Sequence, residues 1–116
     1  MLNVKQKIGK VKFLNMDDDA FLRTLRINIL ELLKPKKTNK IRRKLSDIDI
    51  LGQLNTIYTV SDRKPSGLEV GEALIFMLDR KIIEEHPLGG VQVYAMTDKG
   101  VELLEGIYDG DDTAII

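Results

Sequence analysis

The residues of this sequence best suited to chemistry with a partner are its cations. They are densest in the segment KPKKTNKIRRK, which contains Lys34, Lys36, Lys37, Lys40, Arg42, Arg43 and Lys44. Arg63 and Lys64 form a second, smaller group. Lysine and arginine neutralise the phosphates of nucleic acids. Both groups are therefore candidates for contact with a polyanion.

The overall charge balance hides a strong asymmetry. The chain has 18 Lys and Arg and 18 Asp and Glu, so its formal net charge is zero. Residues 1–44 carry 13 basic and 4 acidic side chains, a net of +9, whereas residues 45–116 carry 5 and 14, a net of −9. A chain of this kind can present a basic face to a polyanion while its other face stays acidic. Simple solvation of both faces is the alternative.

No catalytic or metal-binding pattern is recognisable. His86 is the only histidine, and it stands beside Pro87 in a turn, where a solvated role is expected rather than a part in a catalytic triad. The glycines form neither a dinucleotide fingerprint nor a phosphate-binding loop. The aspartate clusters at 17–19 and 109–112 lack the spacing or the further ligands of a calcium site. We therefore expect no enzyme, no metal and no cofactor.

Length and composition indicate one soluble domain. A chain of 116 residues matches the usual size of a single domain. The absence of cysteine excludes disulfides and thiolate metal sites and favours a cytoplasmic location. No apolar run approaches the ~20 residues of a membrane span, and the first ten residues lack the apolar core of a signal peptide.

Apolar periodicity predicts a mainly helical α+β chain. Residues 1–15 alternate and predict an extended N-terminal arm, either a strand or dimer strap or a basic arm against nucleic acid. A first helix is expected over 17–34, capped by the aspartates at 17–19 and ended by Pro35. Leu45, with Ile41, could form a short strand that pairs with a later hairpin.

Three further helices and a hairpin complete the prediction. A second helix is expected over 46–58, with Ile48, Leu51 and Leu54 or Asn55 one turn apart on an apolar face. A third spans 66–80, with Leu74, Ile75 and Leu78 at helical spacing, and a last helix spans 98–108 before a flexible tail over 109–116. Ser46, Ser66 and Thr97 are the expected N-caps. Between the last two helices, residues 81–96 form two strands around a turn at Gly89 and Gly90.

The stretch from Leu74 to Glu105 resembles small winged helix-turn-helix regulators of the MarR, PadR and ArsR kind. Their pattern is a leucine-rich helix end, a short polar step and two aliphatic residues, and after the wing an aromatic, one residue, a hydrophobe, Thr, two residues and Gly. The corresponding residues here are Leu78, Asp79, Arg80, Lys81, Ile82 and Ile83, and then Tyr94, Ala95, Met96, Thr97, Asp98, Lys99 and Gly100. The resemblance implies a winged-helix domain in which 66–80 is the recognition helix and 81–96 the wing.

The function implied by this resemblance is transcriptional regulation by a homodimer on double-stranded DNA. The start of the third helix is small or acidic, so we expect phosphate contacts to dominate over base reading. The expected DNA-binding residues are Lys36, Lys37, Lys40, Arg42, Arg43, Lys44, Arg63, Lys64, Ser66, Gly67 and Glu69. The alternative is a winged-helix protein-interaction module of a nucleoprotein complex, with a protein partner at the acidic third helix. No membrane association is expected.

Overall fold

A computed structural model describes residues 10–35, 42–58, 63–111 and 116, with side chains from residue 18 onward. Its elements, in chain order, are α1 (Lys10–Leu33), β1 (Leu45–Ser46), α2 (Asp47–Ile57), α3 (Gly67–Asp79), β2 (Ile83–Leu88), β3 (Val91–Met96) and α4 (Asp98–Tyr108). The three strands form one antiparallel sheet in the order β1-β3-β2. The described chain is therefore mainly helical, with a small sheet at one side.

Helix α1 is longer than the sequence pattern predicts. It begins at Lys10, so the expected extended arm is wrong for residues 10–15, and residues 1–9 lie outside the described residues. Asp17, Asp18 and Asp19 lie within the helix rather than at its cap. An alternation of only two apolar residues, Val11 and Phe13, is a weak strand signal. Once a helix is nucleated, each added residue gains a hydrogen bond, which favours continuation towards the N-terminus.

The other helices begin at the caps expected from the sequence. The side chain of Ser46 accepts a hydrogen bond from the backbone N–H of Asp49, and that of Thr97 accepts one from Gly100. The Ser66 hydroxyl likewise accepts from Glu69 at the start of α3. Each cap satisfies an otherwise unpaired N–H in the first turn and thereby fixes where the helix starts.

The hairpin of β2 and β3 has the predicted turn, and its register continues into β1. Gly89 and Gly90 adopt φ values of 59° and 83°, which two-residue hairpin turns require and which glycine adopts without steric cost. Leu45 pairs with Tyr94, so the expected short strand beside the hairpin is confirmed at Leu45, while Ile41 lies outside the described residues. The sheet therefore ties the entry of α2 to the hairpin.

One core joins all four helices to the sheet. Helix α1 supplies more of the fully buried side chains than any other described element, namely Leu25, Ile29, Leu30 and Leu33. The buried core residues are Leu25, Ile29, Leu30, Leu33, Ile50, Leu54, Val70, Ala73, Leu74, Met77, Ile82, Ile83, Met96, Leu104 and Ile116. The predicted flexible tail is thus wrong at Ile116, which packs on the core and accepts a hydrogen bond from Arg26 at 3.1 Å.

Periodicity placed Ile48 and Ile75 on the helix faces that pack against the core, but both residues lie outside the core. Ile48 is 74% exposed and Ile75 is 59% exposed. In α2 the expected Leu54 is buried and Leu51 packs against the core, but Ile50 occupies the core in place of Ile48. Both elements carry apolar side chains on more than one side, and periodicity alone does not say which side meets α1.

The start of α4 is held against the residue that opens the hairpin. Thr97 donates its backbone N–H to the Ile82 carbonyl at 3.1 Å, and its hydroxyl lies 2.7 Å from the Lys81 carbonyl and 2.8 Å from that of Ile82. A Cβ at Gly100 would overlap the Ile82 carbonyl oxygen and lie 2.7 Å from Met96 Cγ. Only glycine therefore allows α4 to approach this closely.

We predict that Gly100→Ala destabilises the protein by about 1–3 kcal/mol, because the added methyl forces α4 away from Ile82. Gly52→Ala is the matched control, since a Cβ there meets nothing within 4 Å in the middle of a helix. The control should gain about 0.5–1 kcal/mol from the lower backbone entropy of alanine. Urea denaturation of both variants measures the difference, and equal effects would contradict the close packing at Gly100.

Candidate nucleic-acid interface

Arg42, a cation of the basic segment that precedes β1, forms contacts inside the chain. Arg42 donates one hydrogen bond to the Met96 carbonyl at 2.8 Å and forms an ion pair with the Asp98 carboxylate. This arginine therefore fastens the segment to the end of β3 and the start of α4. Arg43 is half-buried and Lys44 exposed. Neither has an ion pair within the described residues. Lys36, Lys37 and Lys40 lie outside those residues.

Arg63 holds α1 to the start of α3. Its guanidinium pairs with the carboxylates of Asp18 and Glu69, the latter at 2.7 Å, and lies 4.0 Å from the centre of the Phe21 ring. Burial alone would lower the pKa of Arg63, but the hydrogen bonds to both carboxylates outweigh it and raise that pKa. Two carboxylates thus neutralise this cation. Lys64, the next residue, is exposed.

The first turn of α3 is closed by a capping box rather than left open for an anion. The backbone N–H of Ser66 donates to Glu69 Oε1 at 3.0 Å, and the N–H of Glu69 donates back to Ser66 Oγ at 3.1 Å. Burial alone would raise the pKa of Glu69, but the Ser66 backbone N–H and Arg63 outweigh it and lower that pKa. Glu69 therefore helps to cap α3. A Cβ placed on Gly67 would lie 3.9 Å from the Leu51 side chain.

The outward face of α3 carries no cation. Its exposed residues recur at helical spacing and are Leu68, Glu72, Ile75 and Asp79. Base reading in the major groove uses hydrogen-bonding groups, most often from Arg, Lys, Asn and Gln. Two aliphatic residues and two carboxylates provide an unfavourable surface for a duplex lined with phosphates. The hairpin from Glu84 to Val91 also lacks Lys and Arg.

The two cationic groups predicted from the sequence are anchored on different elements. Arg42 contacts the β3–α4 junction, whereas Arg63 contacts α1 and the first turn of α3. Three of the described candidate cations are left without an ion pair among the described residues, namely Arg43, Lys44 and Lys64. The remaining described candidates, Ser66, Gly67 and Glu69, form the start of α3.

A cluster of arginines that the sequence analysis missed lies on the side of α3 facing α1. The guanidinium carbons of Arg26 and Arg80 lie 4.1 Å and 3.5 Å from the centre of the Phe76 ring. Burial, followed by repulsion from Arg80 and Arg23, lowers the pKa of Arg26. Arg23 and Arg26 are one turn apart in the sequence, but nothing local indicates that Arg80 joins them.

The side chains that the structure exposes unexpectedly are apolar. Ile48 and Ile75 were assigned to predicted helix faces, and Leu68 is 75% exposed near the start of α3. A helical pattern identifies such residues as apolar but not as exposed.

Within the described residues, no group of His, Asp or Glu could hold a metal ion. No helix there is long and apolar enough to cross a bilayer.

In chain order, a helix, a short strand, two helices, a two-stranded hairpin and a closing helix form a winged-helix fold. A solved structure of similar fold is that of a double mutant of Lactococcus lactis ZitR in its apo form, with a TM-score of 0.55. The two chains are 16% identical, and the match covers 94% of this chain and 73% of that chain. At this identity the likeness shows the fold alone. No family model and no curated protein matches the sequence.

We predict that Glu69→Gln lowers stability at neutral pH and not in acid. Glutamine keeps an acceptor for the capping box but loses the charge that Arg63 binds. Because the folded-state pKa of Glu69 lies below its ordinary value of 4.5, the stabilisation is present above 4.5 and is lost as the pH falls through the folded-state pKa. We expect a deficit of about 0.5–1 kcal/mol at pH 7.

Urea denaturation at a series of pH values measures this deficit. Glu72→Gln is the control, because Glu72 is exposed on the same helix and has no ion pair among the described residues. The control should change stability little at any pH. A Glu69→Gln deficit that is the same at pH 7 and pH 3 would exclude the charge of Glu69 as its cause.

Proposed function

We propose that the protein is a winged-helix transcriptional regulator that binds double-stranded DNA mainly through phosphates. The observation that carries this proposal is the position of residues 42–44, the described end of the densest basic segment, which lead directly into β1. That strand pairs with β3 of the wing, so Arg43 and Lys44 stand at the edge of the sheet. The winged-helix order and the resemblance over residues 74–105 support the same function.

The proposed phosphate contacts are made by Arg43, Lys44 and Lys64, together with Lys36, Lys37 and Lys40, which lie outside the described residues. Phosphate contacts give affinity and position but carry little sequence information. The aliphatic and acidic outward face of α3 argues against base reading by that helix. Arg42 and Arg63 have structural roles, and we assign them to supporting the surface rather than to phosphate contact. Specificity would then come from the shape of the duplex and the spacing of two subunits.

We predict that binding to a duplex of random sequence depends steeply on salt. If each subunit neutralises about four phosphates, the log–log slope for a dimer is about −7, from the ~0.9 counterions released per contact. Changing Arg43 and Lys44 together to Ala removes two cations per subunit and should reduce that slope to about half. Fluorescence anisotropy at several salt concentrations measures both values.

The matched control for this measurement is Lys99→Ala. Lys99 is an exposed cation on α4 that donates to the Arg80 carbonyl at 2.8 Å and is not among the proposed contacts. The salt dependence of DNA affinity of the Lys99→Ala variant should have the same log–log slope as that of the parent protein. If the parent shows no binding at low salt, or if its affinity does not change with salt, the DNA-binding proposal fails.

We also propose that the protein is a homodimer, joined through its first and last helices. Tyr108 at the end of α4 remains half-exposed, although its hydroxyl donates to Glu31 of α1 at 3.0 Å. Beside it lies a hollow of about 270 Å³ lined chiefly by Pro35, Met96, Val101 and Leu104. An apolar surface formed by α4, the end of β3 and the residues that follow α1 suits the self-complementary interface of a two-fold dimer.

Sedimentation velocity tests the oligomeric state directly. We expect a dimer at micromolar concentration, because a regulator of palindromic sites needs two copies of the reading surface. Tyr108→Asp would place a second carboxylate beside Glu31 and should shift the equilibrium towards the monomer. A parent protein that remains monomeric at high micromolar concentration would rule out this assembly.

A further inference from the structure

A groove separates α2 from α3 and ends at the wing strand β3. We name it the α2–α3 groove, and its volume is about 240 Å³. Residues from the two helices and one strand line it, principally Ile48, Leu51, Gly71, Leu74, Ile75 and Tyr94. It lies beside the outward face of α3, on the surface that a helix-turn-helix would turn towards DNA.

The walls of the α2–α3 groove are aliphatic and open to solvent. Ile48 on one side and Ile75 on the other leave most of their side chains exposed. Between them, an ideal Cβ at Gly71 would meet nothing within 4 Å, so the absence of a side chain there leaves space in the groove. A contiguous exposed apolar patch rimmed by polar residues is typical of an interaction site.

The rim of the α2–α3 groove is negatively charged. Asp47 lines it directly, and Glu85 lies opposite Tyr94 in the ladder between β2 and β3, on the same face of the sheet. Burial, followed by the carboxylates of Glu85 and Asp47, raises the pKa of Tyr94, which agrees with the proximity of both charges to its phenol. No Lys or Arg occurs among the residues that line the groove.

We propose that the α2–α3 groove binds a basic amphipathic helix of a protein partner. Apolar side chains of the partner would enter between Ile48 and Ile75, and its Lys or Arg residues would face Asp47 and Glu85. This is the helix-in-groove mode of peptide recognition, in which apolar anchors give affinity. A negative rim repels phosphates and attracts cations, so charge complementarity selects a basic protein segment over nucleic acid.

This docking surface uses none of the cations assigned to DNA. The regulator could therefore hold DNA through the basic segment that leads into β1 while α2 and α3 recruit a protein. The two proposals stand or fall separately. Variants in the α2–α3 groove should leave the salt-dependent DNA affinity unchanged, and the Arg43 and Lys44 variant should leave peptide binding unchanged.

The test uses a synthetic amphipathic helix of leucine and lysine, about four turns long, titrated into the ¹⁵N-labelled full chain. We expect amide shifts concentrated on α2, α3 and β3. A peptide with glutamate in place of every lysine should bind at least about tenfold more weakly, since its charges oppose Asp47 and Glu85. Equal binding of the two peptides, shifts centred elsewhere or no binding at millimolar peptide would overturn the proposal.

Gly71→Leu separates groove filling from unfolding. The leucine has room at its Cβ and a higher helix propensity than glycine, so the fold should be kept while the groove is filled. We expect at least about a tenfold loss of affinity for the basic peptide. Changing Asp47 and Glu85 to Asn and Gln should cost roughly threefold to fivefold at low salt.

The matched control is Ile57→Ser. Ile57 is an exposed aliphatic residue at the end of α2 that does not line the groove, so its loss should leave peptide affinity unchanged. If Gly71→Leu folds and still binds the peptide normally, the site is wrong. If Gly71→Leu instead abolishes DNA binding, or converts a dimer to a monomer, the groove is a DNA or subunit interface and the proposal is overturned.

Discussion

The contact between the start of α4 and the Ile82 carbonyl is the constraint on which the arrangement of the wing depends. Thr97 hydrogen-bonds that carbonyl through its backbone N–H and at the same time caps α4 through its hydroxyl. Gly100 allows the helix to lie against it. One short segment thus closes β3, starts α4 and fixes where β2 begins. Thr97 and Gly100 of the motif that resembles winged-helix regulators have a physical reason here, since Thr97 caps α4 and Gly100 leaves room for the Ile82 carbonyl.

The folded chain uses many of its cations to hold itself together. Arg42 fastens the basic segment to the wing base, Arg63 joins α1 to α3, and Arg26 stacks on Phe76 of α3. Guanidinium groups suit this task because they pair with carboxylates and stack on aromatic rings at once. The charge asymmetry of the sequence therefore reflects internal contacts as well as the proposed DNA-binding surface. Among the described residues, the cations proposed for DNA contact, Arg43, Lys44 and Lys64, are ones without an ion pair.

The composition of the outward face of α3 differs from that expected of a helix that reads DNA bases. In the winged-helix class, this helix commonly supplies the groups that read bases, whereas here it presents Leu68, Glu72, Ile75 and Asp79. This aliphatic and acidic surface is the basis of the proposal that the α2–α3 groove beside it binds a protein partner. The two proposals assign different surfaces to different partners. DNA phosphates would bind near β1, and a basic helix would bind between α2 and α3.

Local sequence signals were sufficient for most elements of the fold. The caps at Ser46, Ser66 and Thr97 and the two glycines of the hairpin turn act over a few residues, so their outcome could be read from the chain. The start of α1 was misplaced because a short alternation and a helix extension differ little in local energy. Tertiary packing decided which apolar residues are covered, and it left Ile48 and Ile75 exposed. Tertiary structure also decided which cations form internal ion pairs. Arg63 and Asp18, for example, are far apart in the sequence, and no local pattern indicates that folding brings their charges together.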